Sequence, residues 1–211
     1  MKPDDTKPLG PEGFAARLAV SAETLVRLSA YVDLLARWAE RINLVGRVTL
    51  ADPWRRHILD SAQLLPFVPA GAKSLVDLGS GAGFPGLVLA ILGVSGIELV
   101  EADARKCAFL REAARVTEAP VAIHPRRIEA MPARAVDVVT ARALAPLDRL
   151  LDLAAPFLGS QTVCLLLKGE RAEEELAAAR RTWTATAARC ASLSDPRGSV
   201  LRLCGIARTG R

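Results

Sequence analysis

Apolar positions along the chain follow two spacings, and the change from one to the other divides it. Residues 1–12 hold three prolines and no apolar period, which predicts a flexible tail. From Ser21, the residues Leu25, Leu28, Val32, Leu35, Trp38 and Ile42 recur at near-helical intervals, with Arg27, Asp33, Arg37 and Glu40 mostly off that stripe. An amphipathic helix is expected there. Asp52-Pro53, a cap followed by a first-turn proline, opens a second helix that would bury Ile58, Leu59, Ala62 and Leu65 and turn Trp54-Arg55-Arg56-His57 the other way. Pro66, Pro69 and Gly71 then interrupt the pattern, so 13–66 reads as a helical extension and 67–211 as the main domain.

Beyond Gly71, short apolar runs alternate with helical stretches. Strands are predicted at Leu75–Leu78, Ile97–Glu101, Val121–His124, Val136–Thr140 and Thr162–Leu167, and helices at Lys106–Val116, Pro146–Leu158 and from Glu170 to about Arg181. Two more strands, near Ala185–Leu193 and Val200–Ile206, flank the turn Asp195-Pro196-Arg197-Gly198. Seven strands alternating with helices predict an α/β fold: a doubly wound, mostly parallel sheet of the Rossmann-like type, helices on both faces.

Composition narrows the function. Twenty-eight basic against 23 acidic residues give a formal charge of +5, which suits an anionic partner, while aromatic residues make up only 4%. Nucleic acid would therefore be held by Arg and Lys rather than by stacking platforms. His57 and His124 stand in no metal-ligand spacing, so no metal is expected. Cys107, Cys164, Cys190 and Cys204 form no C-x-x-C pair and read as small core residues in a reducing compartment. With no membrane span or signal-peptide pattern, a cytoplasmic location and no membrane partner are expected.

The chemistry centres on Ser74-Leu75-Val76-Asp77-Leu78-Gly79-Ser80-Gly81-Ala82-Gly83-Phe84-Pro85-Gly86. A buried strand, a glycine turn that lets backbone approach a ligand, and a helix start make a cofactor cradle. Gly81 to Gly86 also satisfies the dinucleotide pattern G-x-G-x-x-G. Asp77 argues against that, since a carboxylate would repel a pyrophosphate but could hold the ammonium of an amino acid. The segment Asp77 to Gly83 looks like the first motif of class I S-adenosylmethionine-dependent methyltransferases. Glu101, about 20 residues beyond the first glycine, stands where this architecture places a carboxylate on ribose, with Asp103 as alternative.

After the fourth strand, Thr140-Ala141-Arg142-Ala143 lacks the Asp/Asn-Pro-Pro-aromatic run of enzymes that methylate exocyclic amines, and no Pro-Cys pair suits cytosine C5 chemistry. An acceptor that needs little activation remains, such as guanine N7 with its in-plane lone pair. Arg56-His57-Ile58-Leu59-Asp60-Ser61, Gly79 to Gly86, Ala141-Arg142-Ala143 and Leu167-Lys168-Gly169 together resemble the bacterial ribosomal RNA small subunit methyltransferase G family, also called glucose-inhibited division protein B. The likeness runs from about Tyr31 to about Gly169.

The resemblance implies transfer of a methyl group from S-adenosyl-L-methionine to N7 of a guanine in the decoding region of 16S rRNA. Free rRNA or the small ribosomal subunit would be the partner, and a monomer with no obligate protein partner is expected. It implies cofactor contacts from Gly79, Ser80, Gly81, Gly83 and Phe84, ribose contacts along Glu101-Ala102-Asp103, and adenine flanked by Ile128-Glu129. It places Arg142 between cofactor and guanine, and His57, Asn43, Arg127 and Lys168 on the substrate side. Glu101 stands where Asp is frequent in the family, and Gly46 where a hydroxyl residue is more usual. A small molecule or another RNA is the alternative acceptor.

Overall fold

The computed structural model describes residues 7–210. Of the tail expected over 1–12, residues 1–6 lie outside the described residues. Within the rest, Leu9 is buried with its N–H on Asp52 Oδ1 (2.9 Å), and Pro11 begins the short helix α1 (Pro11–Ala15).

Helix α2 spans Ala22–Ala39, capped by Ser21 Oγ on the Thr24 N–H. Its buried stripe is Leu28, Tyr31, Leu34 and Leu35, so Val32 and Trp38 sit at the margin, Trp38 edge-on to Phe109. The second predicted helix starts as expected at Asp52, whose Oδ1 accepts the Arg55 N–H, but Trp54–Leu59 is a π-helix that tightens into a single α-turn, α3 (Asp60–Ala62). The wider turn leaves Trp54, Arg55 and His57 buried as well as Ile58 and Leu59, against the two-sided pattern expected. π-Turns of this kind cluster at functional sites.

The sheet follows in chain order: β1 (Leu75–Leu78), α4 (Gly86–Ile91), β2 (Ile97–Glu101), α5 (Ala104–Val116), β3 (Val121–Pro125), β4 (Val138–Arg142), α6 (Leu147–Ala154), β5 (Val163–Lys168), α7 (Ala172–Ala179), β6 (Trp183–Ala191) and β7 (Ser199–Arg208). The seven strands lie in the order β3-β2-β1-β4-β5-β7-β6, the first five parallel and β7 antiparallel to both neighbours. Pro125 sits on the edge strand, where its missing N–H costs no ladder bond. Pro156 ends the helix predicted to Leu158 in a 3₁₀ turn (Ala155–Phe157).

Both faces of the sheet are buried, which is why its strands read as apolar runs. On one face Leu75, Leu99 and Leu165 share a core with α4, α5 and the N-terminal helices; on the other Val76, Leu78, Val139 and Leu166 pack on α6 and α7. Cys107 and Cys164 are buried as expected, but Cys190 is exposed on β6. The chain order reverses between β1 and β4, and crevices at the carboxyl ends of strands at such a reversal are where open α/β sheets bind ligands.

Candidate active site

The glycine loop lies in that crevice. Gly79, Gly81 and Gly83 all have positive φ (65°, 59° and 94°), a region L side chains rarely enter. Gly83 is also closed in: a Cβ there would lie 2.8 Å from the Tyr31 hydroxyl oxygen and 2.9 Å from Leu87 Cβ. At Gly81 the nearest atom to such a Cβ is the loop's own Gly79 carbonyl oxygen, 3.9 Å away, so its side is open. The Tyr31 hydroxyl donates to the Ala82 carbonyl and pins the loop to α2, and burial pushes this phenol well above its ordinary pKa. Sequence reasoning passed over Tyr31; its signal was that it is the chain's one tyrosine, set within an apolar stripe. Pro85 caps α4 after a cis peptide bond from Phe84.

Asp77 lies beneath this loop and not on the cleft wall. It is wholly buried, with Oδ1 accepting from Thr140 Oγ1 (2.7 Å) and Oδ2 from the Gly86 N–H (3.3 Å). Burial raises its carboxyl to about 6, against the opposing pull of those hydrogen bonds and of Arg142. Glu101 is half-buried at the end of β2, its Oε2 taking the Gly81 N–H (2.9 Å) and its Oε1 the Asp103 N–H (2.8 Å). Each oxygen keeps a further lone pair. Asp103 is the N-cap of α5, accepting from Arg105 and Lys106, and these bonds hold its carboxyl below its ordinary value. Ala102 is exposed; in the 3₁₀ turn after β3, Ile128 is buried and Glu129 is exposed, 3.4 Å from Arg149.

The cleft has a volume of about 690 Å³ and brings together Gly79, Ser80, Gly81, Phe84, His57, Arg142 and Lys168 of the expected residues. Arg142, at the end of β4, stacks its guanidinium over the Phe84 ring (4.7 Å) and is held at Nη1 by the Arg56 carbonyl (3.0 Å), His57 Nδ1 (3.1 Å) and Asp60 Oδ2 (3.2 Å). Among the described residues, Nε and Nη2 make no such bond. The next residue, Ala143, has φ 50°, a strained conformation for alanine in the cleft wall. His57 lies flat on Phe84, ring centres 4.8 Å apart and 17° from parallel, and burial together with Arg142 and Arg56 lowers its pKa to about 3. It is neutral at physiological pH.

The helical pairs suggested by spacing are replaced by tertiary ones. Arg56 joins Asp195 in the β6–β7 turn (2.8 Å) instead of Asp60, and Ser61 bonds the His57 carbonyl instead of its ring. Asp60 Oδ1 accepts from Ser194, and Gln63 takes the Leu193 N–H at 2.7 Å. Lys168 lines the cleft, but its ammonium is engaged by the Ala145 carbonyl (2.8 Å) and Glu175 (2.7 Å), so it fastens the loop after β4. Asn43 and Arg127 are exposed and outside the cleft lining. Thr49, Asp60, Thr140, Glu175 and the turn Ser192–Ser199 complete the surroundings, none of them selected from sequence. Among the described residues no His/Cys/Asp/Glu group could hold a metal ion, and no helix is long and apolar enough to cross a membrane.

The comparisons agree with this geometry. The family model described as rRNA small subunit methyltransferase G (GidB) matches residues 24–198. The "Ribosomal RNA small subunit methyltransferase G" of Paramagnetospirillum magneticum is 57% identical over 95% of this chain and 98% of its own length. That of Gluconobacter oxydans is 47% identical over 90% and 97%. Among solved structures, the O-methyltransferase from Bacillus cereus superposes with a TM-score of 0.60 at 13% identity, over 92% of this chain and 96% of that one. Ribosomal protein L11 methylase from Lactobacillus delbrueckii gives 0.55 at 16% identity, over 70% and 76%. These two share the class I methyltransferase fold, and the sequence matches go further: the chain belongs to the rRNA small subunit methyltransferase G family.

Proposed function

We propose that this protein transfers a methyl group from S-adenosyl-L-methionine to N7 of a guanine in the decoding region of 16S rRNA. The observation that carries this reading is that the open side of Gly81 and the guanidinium of Arg142 share one cleft, in a chain that belongs to this family. The residues fit the cofactor. A Cβ-sized space opens at Gly81, whose N–H donates to the half-buried Glu101 carboxylate with its spare lone pairs, and the Phe84 ring lines the same cleft as Gly81. In this reading Gly79, Ser80, Gly81 and Phe84 hold the cofactor's amino-acid end, Glu101 its ribose, and Ile128 its adenine. Asp77 acts from below, fixing the start of α4.

When bound, the cofactor supplies an electrophilic methyl group on a sulfonium. Methylation of a ring nitrogen through its lone pair, with the departing electron pair left on the sulfonium sulfur, would require no proton to be removed. A general base is unnecessary, which suits a neutral His57 whose ring nitrogens are both engaged. Arginine ordinarily grips guanine through O6 and N7 together. Here N7 must stay free for attack, so the unengaged N–H groups of Arg142 serve O6 or a phosphate, and orientation supplies most of the acceleration. Exposed cations such as Arg47, Arg127 and Arg197 suit the rRNA backbone. In that role the protein works in the cytoplasm as a monomer.

The test is methyl transfer in vitro from labelled S-adenosylmethionine to small subunits from cells lacking this gene, with cleavage mapping of N7-methylguanine. One decoding-region guanine should acquire the label. Label elsewhere, or only on a small molecule, would overturn the assignment.

A further inference from the structure

We infer that His57 and Thr49 are positioning residues, a hydrogen-bonded bridge that fixes Arg142 and the cleft's entry turn as one unit. The inference rests on the methyl transfer proposed above. Arginine can only donate, so the 3.1 Å contact from Arg142 Nη1 makes His57 Nδ1 the acceptor and puts the ring hydrogen on Nε2. That N–H then donates to Thr49 Oγ1 (3.0 Å), and the Thr49 hydroxyl passes its own hydrogen to the Gly46 carbonyl (2.7 Å). Every role along Arg142→His57→Thr49→Gly46 is thereby fixed in one sense. Neither ring nitrogen is left for a substrate.

The bridge joins parts of the cleft that are far apart in sequence. At one end Arg142 is held against Phe84 and Asp60, with Nη1 alone engaged among the described residues. At the other lies the 3₁₀ turn Arg47–Ala51, which carries the exposed Arg47 and the 89% exposed Val48 beside the cleft-lining Gly46 and Thr49. His57 itself is buried, clamped on Phe84, and faced by Arg142 and Arg56 with Asp60 behind the Arg142 guanidinium. A protonated ring would lose its Nδ1 lone pair and meet two like charges, so the bridge exists only with neutral imidazole.

Two measurements test this. In the His124→Gln variant His57 is the one remaining histidine, and ring ¹⁵N NMR reads its state without substrate. The Nε2–H tautomer, unchanged from pH 8 to pH 5, is expected; the Nδ1–H tautomer, or titration near the ordinary histidine pKa of about 6.5, would overturn the bridge. In kinetics, Thr49→Val removes the hydroxyl at nearly constant shape. It should lower kcat about tenfold with S-adenosylhomocysteine affinity unchanged, and Thr49→Ser should restore it. Unchanged kcat in Thr49→Val, or no rescue by serine, would refute the positioning role. Absence of methyl transfer by the wild type would instead sink the proposed reaction, leaving the tautomer result standing.

Discussion

The two walls of the cleft are built in different ways. The wall around the glycine loop is built chiefly from one short stretch of backbone: strand, three positive-φ glycines and helix start fall within Leu75–Ile91, with single side chains of Glu101, Tyr31 and Thr140 tying it to the rest. The facing wall is assembled from the 3₁₀ turn at Arg47–Ala51, the π-helix, the end of β4 and the β6–β7 turn. It is joined by bonds such as Arg56–Asp195 and Asp60–Ser194, across 139 and 134 residues of chain. A ligand of fixed shape can be met by a short backbone motif, whereas the cation of Arg142 is held in place by side chains that only the tertiary fold brings together. The walls should therefore fail separately when mutated.

Arg142→Ala gives the sharpest separation. Losing a donor aimed into the cleft should reduce turnover by roughly 10²–10³, with cofactor affinity retained, as a single-turnover assay beside calorimetry would show; near-normal turnover would remove Arg142 from the site. Gly83→Ala should break the other wall through the fold itself, since a positive φ and a clash with Tyr31 and Leu87 together cost about 2–4 kcal/mol. Thermal melting would show the loss, and an unchanged midpoint would contradict the packing described.

Asp77 links the loop wall to β4 through Thr140. Its folded pKa, about 6, lies above the unfolded value of 3.8, so its contribution to stability is fully present below about pH 4 and lost as pH rises through 6. Asp77→Asn can still accept from the Gly86 N–H through its oxygen and donate to Thr140 Oγ1 through its amide, without the buried charge. It should gain on the wild type between pH 4 and pH 7, by up to about 3 kcal/mol, in melts across that range; a gap that does not vary with pH would refute the buried-carboxylate account. The smallest effect expected is that of Ser194→Ala, about 1 kcal/mol from one lost bond to Asp60. It should raise KM for the ribosomal substrate without changing cofactor affinity, and a change in cofactor affinity alone would merge the two walls.

The same contrast decides what could be read from sequence. The strand runs and the glycine loop were legible because apolar period and turn chemistry act over neighbouring residues, and most strand ends fall within two positions of expectation. Arg142 and His57 stand out in their motifs, and the fold places both in the cleft lining. The π-turn was not, since spacing cannot distinguish its winding from that of an α-helix, and the pairings Arg56–Asp60 and His57–Ser61 gave way to partners in a turn far along the chain. Lys168 had the residue type of a substrate contact, yet Glu175 holds its ammonium. Tyr31 and Thr49 carry no motif; only the fold places their hydroxyls on the loop and on His57.

In the proposed reaction the open side of Gly81 is the seat of an adenosyl cofactor. Calorimetric titration of S-adenosylhomocysteine, and of NAD in parallel, into the wild type and Gly81→Ala tests this, because an added Cβ at this position comes no nearer than 3.9 Å to the Gly79 carbonyl oxygen and bears only the cost of its positive φ, about 1–2 kcal/mol. Binding of S-adenosylhomocysteine by the wild type, its loss in a Gly81→Ala protein that still folds, and weaker binding of NAD are predicted. Equal affinity in the two proteins, or tighter binding of NAD, would contradict the account.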